Sequence, residues 1–164
     1  MAAGVIDRDR GWKRIMRDMK KVATGPHSKV GILASKGAGE AHPDDSGGSI
    51  SMVGLGAVHE FGTEDIPARS WLADTLIVKN REIEAFRTKV VGKVYDGKLD
   101  PLRALGLLGE KAVALMVLRI KAGIAPPLKP ATIVKKTVAG KKGTTPLINE
   151  GHLWRAIAQE VKAR

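Results

Sequence analysis

A chain of 164 residues is long enough to bury one hydrophobic core, as a single domain or a domain with an extended arm. It has no cysteine, which excludes disulfides and thiolate metal sites. It also lacks an N-terminal apolar h-region and any run near the roughly 18 apolar residues of a membrane span, so a soluble protein made and used without secretion is expected. Aromatic residues are only 4% of the chain, which leaves the core to Leu, Ile, Val, Ala and Met. The formal charge of +11 is uneven: residues 101–164 hold 12 basic and 3 acidic side chains, 63–100 balance at 7 against 7, and 23–62 are net acidic at 2 against 4. A basic C-terminal third suits DNA or an acidic partner surface, and charge alone does not choose between them.

From Arg8 to Val22, Trp12, Ile15, Met16, Met19 and Val22 recur at helical spacing between basic residues, which predicts an amphipathic helix with one face on the core. Gly25-Pro26 ends it. Lys29 to Ala34 reads as a short strand with Val30 and Ile32 on one face. Residues 35–48, crowded with Gly, Ser and Asp, read as a flexible loop, either a hairpin tip or an assembly arm. Gly37-Ala38-Gly39 lacks the third glycine of a dinucleotide fingerprint, and no P-loop pattern follows.

Met52, Leu55 and Val58 lie three apart and predict a short helix over 50–61, stopped by Gly62. Leu72, Leu76, Ile83, Phe86, Val90 and Val94 then trace one stripe, predicting a long helix over 71–94 with Ser70 as N-cap and Asp74 in its first turn. Asp100-Pro101 opens a second long helix through Leu102, Leu105, Leu108, Ala112, Leu115, Met116 and Ile120 to Gly123, with a face broad enough for both the sheet and the preceding helix. Pro126-Pro127-Leu128-Lys129-Pro130 is an extended elbow, and Pro130 opens a short helix to Val138. Residues 139–145 form a second flexible Lys/Gly loop, and Asn149 caps a last helix with Leu153, Trp154 and Ile157. The expected fold is α+β, one domain over 1–164, with a small antiparallel sheet packed against two long helices and with long loops.

Three segments carry a family pattern. His59-Glu60-Phe61-Gly62-Thr63, followed by Ile66-Pro67-Ala68-Arg69-Ser70-Trp71-Leu72, resembles the "HEFGT…IPARPFL" block of the tail-component and tail-completion (neck) proteins of long-tailed bacteriophages, the gp10-like group. Pro126-Pro127-Leu128-Lys129-Pro130-Ala131-Thr132-Ile133-Val134-Lys135-Lys136 resembles the family's "PPLSPxTIxxK" segment. Pro146-Leu147-Ile148-Asn149-Glu150-Gly151-His152-Leu153-Trp154-Arg155-Ala156-Ile157 resembles its "PLIDTGxLxxSI" closing block. The three occur in order and span roughly 52–157. Asn149-Glu150 stands where the family has Asp-Thr, Trp71 where it has Phe, and the Gly-rich stretch before Met52 is this chain's own.

The resemblance implies a non-enzymatic virion protein of the tail or neck, made in the host cytoplasm. It would form a homo-oligomeric ring, a hexamer by family expectation, at the head–tail junction or tail end. Its neighbours would be connector or adaptor, tail terminator or tail tube proteins, with nonspecific contact to channel DNA and no membrane or cofactor. It marks His59, Glu60, Phe61, Gly62, Pro67, Arg69, Trp71, Leu147, Leu153 and Trp154 as interface or fold-hallmark residues. Density in an acid-free segment makes Lys135, Lys136, Lys141 and Lys142 candidates for contact with DNA or an acidic partner.

Other chemistry has thinner support. His59-Glu60 begins a zinc-protease pattern, but Thr63 stands where the second His belongs, and His27, His42 and His152 are scattered. Ser49, Ser51 and Ser70 lack a nucleophile-elbow context. Asp44-Asp45 and Glu64-Asp65 read as solvated turn carboxylates. Glu60 is expected to pair with a base such as Arg69, His59 to pack or cap, and Phe61 to plug the core beneath the turn. Trp12 and Trp154 are interface anchors or ordinary core aromatics. The competing reading, a basic nucleic-acid-binding module, would need a reading element, and neither stacking aromatics nor a helix-turn-helix pattern is evident.

Overall fold

The computed structural model describes residues 12–36, 41–43, 49–140, 144–148 and 151–163. Its order is α1 (Trp12–Thr24), β1 (His27–Ile32), a 3-10 turn (Ala34–Lys36), β2 (Ala41–Pro43), β3 (Ser49–Ser51), α2 (Met52–Phe61), α3 (Ala73–Val78), α4 (Asn80–Tyr95), α5 (Pro101–Ala122), α6 (Pro130–Val138), α7 (His152–Arg155) and β4 (Ile157–Lys162). The class is α+β. β1 pairs antiparallel with β4 in a register running from His27 opposite Lys162 to Ile32 opposite Ile157, and β2 pairs antiparallel with β3.

The 22-residue α5 is the axis of the fold. Asp100 caps it, accepting from the Leu102 and Arg103 amides at 2.9 and 3.2 Å, Pro101 occupies its first turn, and Gly123 ends it. β1 and β4 lie across it, α4 packs alongside, and α1 and α3 touch its flanks. Gly109 lets the helix approach the sheet: a Cβ there would sit 2.6 Å from Ser28 Oγ and 3.0 Å from Gln159 Cβ. Met116 and Ile120 are fully buried and join Trp71, Ile124 and Ile157 in the main cluster. Met52 and Leu153 form a second cluster, and Ile32 and Leu147 touch both. Burying each such side chain contributes about 1.5–3 kcal/mol, so these few residues dominate the core of an aromatic-poor chain.

Three expectations are corrected. The helix over 71–94 is two helices that meet at Lys79, and Leu76 is exposed rather than part of a buried stripe. Leu102, at the start of the α5 apolar face, is exposed as well. The last helix is a single turn, and Ile157 belongs to β4. Ala158, Gln159, Glu160 and Lys162 favour helix locally, but pairing with β1 and burial of Ile157 outweigh that preference. Of the flexible-loop expectations, 37–40, 44–48 and 141–143 lie outside the described residues, as does Asn149, the expected cap.

Candidate functional site

The three motif segments connect at the two ends of α2: its first residue, Met52, packs on Leu153, and the turn after it bonds the Pro126 and Pro127 carbonyls. That helix begins at Ser51, whose hydroxyl accepts from the Gly54 amide at 3.1 Å, and stops at Gly62. Gly62 has φ 77°, and a Cβ there would lie 2.7 Å from the Ala68 nitrogen, so only glycine fits this crossing. The chain reverses through Thr63, whose amide donates to the Ile66 carbonyl at 2.8 Å and whose hydroxyl accepts from the Ile66 amide at 3.1 Å. It runs back antiparallel to α2, and the Arg69 amide donates to the His59 carbonyl at 2.7 Å.

Glu60 is 8% exposed and accepts three hydrogen bonds: Ser70 Oγ at 2.7 Å and the Ala73 amide at 3.0 Å on Oε1, and the Leu72 amide at 2.9 Å on Oε2. Ser70 Oγ in turn accepts from the Asp74 amide at 3.0 Å. The carboxylate thus satisfies the otherwise unpaired first amides of α3, where the helix dipole favours an anion. Contrary to the expectation from the sequence, Glu60 does not pair with Arg69. Two backbone amides at the start of α3 and the Ser70 hydroxyl fill its lone pairs, and Arg69 points elsewhere.

Arg69 is 5% exposed and donates through Nε to the Pro126 carbonyl at 2.7 Å and through Nη2 to the Pro127 carbonyl at 3.1 Å. The elbow is neither helix nor strand, which leaves those carbonyls without helical or sheet partners, and a planar guanidinium meets both at once. Desolvation lowers the Arg69 pKa from its ordinary value. Trp71 is buried and donates through Nε1 to the Gly56 carbonyl at 3.0 Å, while Thr75 Oγ1 bonds the Trp71 carbonyl at 2.6 Å. Asp74, at the start of α3, is paired with Arg119 of α5.

The second and third segments join through Lys136, whose Nζ donates to the Ile148 carbonyl at 2.6 Å. Leu147 has φ 64°, a left-handed conformation costing an ordinary residue about 1–3 kcal/mol, and is held by packing against both apolar clusters. Trp154 packs on the main cluster, with Lys121 Nζ 4.2 Å and the Arg155 guanidinium 5.2 Å from its ring centre.

His59, Glu60, Gly62, Arg69, Trp71, Leu147, Leu153 and Trp154 therefore belong to one connected clasp. Pro67 is half-buried in the return strand of the turn. Phe61 is the exception: it is 81% exposed and plugs nothing, because α2 turns the residue after buried Glu60 outward. His59 is half-buried with Nδ1 unpartnered, and burial, then the Arg69 charge, push its pKa below the ordinary 6.5. Among the basic candidates Lys135 is exposed, whereas Lys136 is committed to Ile148, and Lys141 and Lys142 lie outside the described residues.

The sequence pattern did not reveal the Pro126 and Pro127 carbonyls, Gly56 as acceptor for Trp71, or Lys121 over Trp154. Each is fixed by packing between distant segments, and only the double proline hinted at unpaired carbonyls. Among the described residues no group of three or more His, Asp or Glu side chains has metal-binding geometry, and no helix is long and apolar enough to cross a membrane. No protein-family model matches the chain, and neither a curated protein nor a solved structure matches it.

Proposed function

We propose that this chain is a structural virion protein of a long-tailed phage or prophage, a tail-completion or neck component that works through subunit contacts and carries out no chemistry. One observation carries the reading. The first of the three segments that resemble the family is far in sequence from the other two, yet hydrogen bonds from Arg69 to Pro126 and Pro127 and from Lys136 to Ile148, with Leu153 packed on Met52 at the start of α2, join all three into one unit. A resemblance made of touching segments supports a shared scaffold more strongly than scattered matches do. Exposed Phe61, Ile77, Val134 and Val138 support a protein that buries further surface on assembly. The basic C-terminal third supports nonspecific attraction to phosphates of channel DNA.

The test is disruption of the gene in the phage or prophage that carries it, with negative-stain microscopy of the lysate. Full heads beside unattached tails, or tails of abnormal length, are expected. Intact infectious particles would overturn the virion role. A second reading, a nucleic-acid-binding module, draws on the Lys121–Trp154–Arg155 stack. It requires salt-sensitive DNA binding by the isolated chain.

A further inference from the structure

Among the described residues, α2 and α6 each expose an apolar stripe that the single chain leaves uncovered. In α6 the residues at helical offsets of three, four and seven from Ala131 are Val134, Lys135 and Val138, and all four are exposed, Val138 at 84%. Half a turn away, half-buried Ile133 and Lys136, bonded to Ile148, mark the side that faces the protein. The helix therefore turns its valines away from its own core. In α2 the residues at offsets of four and eight from Val53 are Ala57 and Phe61, also all exposed, one position beyond the buried row of Met52, Gly56 and Glu60.

The two stripes differ in charge. The α2 stripe runs straight into Glu64 and Asp65, both exposed and without an ion-pair partner among the described residues. α6 has no acidic residue, and its stripe carries Lys135, exposed and likewise unpaired among the described residues. An acidic-ended apolar ridge and a basic apolar ridge, each presenting residues one helical turn apart, are complementary in both packing and charge.

We infer that the α6 stripe of one copy docks on the α2 stripe and Glu64–Asp65 turn of a second copy. The occupant of each face is therefore this same chain. Because the two halves of the contact are different surfaces, the contact is heterologous: every added copy presents a fresh α2 stripe or a fresh α6 stripe, and the series closes into a ring or continues as a filament. The inference rests on the assembly reading above and names the contact that reading needs.

The experiment uses the full chain and sedimentation velocity over a concentration series from roughly 1 to 100 μM, a range that spans typical weak subunit affinities. The wild-type chain is expected to assemble. Phe61→Asp, and separately Val134→Asp with Val138→Asp, should abolish assembly while leaving the thermal transition in place, because none of these side chains is part of the core. Lys135→Glu alone, and Glu64→Lys with Asp65→Lys, should each weaken assembly by about tenfold or more. Mixing those two charge variants should restore it, since each then meets a complementary face. A monomeric wild-type chain, variants that assemble like wild type, or a mixture that fails to recover would each overturn the contact. Failure of the particle role is read separately, from intact virions after gene disruption.

Discussion

Arg69 Nε donates to the Pro126 carbonyl at 2.7 Å across 57 positions of sequence, so one buried guanidinium ties the turn after α2 to the elbow before α6. With the second bond to Pro127 it supplies a planar fork that a lysine cannot reproduce. Arg69→Lys should cost about 1–3 kcal/mol in urea unfolding, and Arg69→Ala more, because hydrogen bonds from a charged donor are lost and carbonyls are left unpaired. A lysine variant within about 0.5 kcal/mol of wild type, the range of a neutral surface change, would remove this bond as a structural tie.

Glu60 holds the start of α3 through three acceptor contacts. Glu60→Gln keeps the shape but turns an amide NH2 toward a donor, and should destabilise the chain by about 1–3 kcal/mol. The effect should be local as well as global: amide exchange at Leu72, Ala73 and Asp74 should rise more than exchange within α5. Equal protection in variant and wild type would show that the carboxylate is not what caps this helix.

His59 supplies a pH dependence whose sign follows from its environment. Burial and the nearby Arg69 charge lower its folded pKa below 6.5, so the unfolded chain takes up this proton more readily than the folded one. Stability from this group is therefore undiminished above 6.5, declines as pH falls from 6.5 toward the lowered folded value, and levels off below it. His59→Gln should flatten that decline in urea midpoints measured between about pH 7.5 and 5. A variant with the same slope as wild type would place the titration elsewhere.

β4 is the element most dependent on a distant partner. A chain ending at Ala156 loses Ile157 from the main cluster and all six register positions opposite β1. The expected result is loss of the cooperative thermal transition, since a missing strand and core residue remove an amount comparable with a typical domain's whole stability of about 5–15 kcal/mol. A cooperative transition with only a small shift would show that α5 and its helical neighbours fold without the sheet.

Much of the secondary structure was legible because its causes are local. Asp100-Pro101 and Gly123 bracket α5, Gly62 stops α2, and Pro130 opens α6, each through caps and backbone preferences acting within a few residues. The break at Lys79 had no such signal, since neither proline nor glycine marks it. The clasp was half legible: its residues stood out as a motif, but their partners did not. Glu60 and Arg69 lie close in sequence and carry opposite charge, yet each bonds backbone groups instead, one at the start of α3 and the other at the proline elbow.

By itself, then, the sequence determined where α2 stops, where α5 begins and ends and where α6 opens, together with the basic, aromatic-poor character of the chain. The tertiary structure alone decided that Ile157 starts a strand, that Phe61 and the α6 valines face outward, and that the motif segments form one clasp. Helix caps and periodicity act over one or two turns and are written in adjacent residues. Strand pairing between His27 and Lys162, or a guanidinium seated under two prolines, depends on which surfaces the folded core brings together.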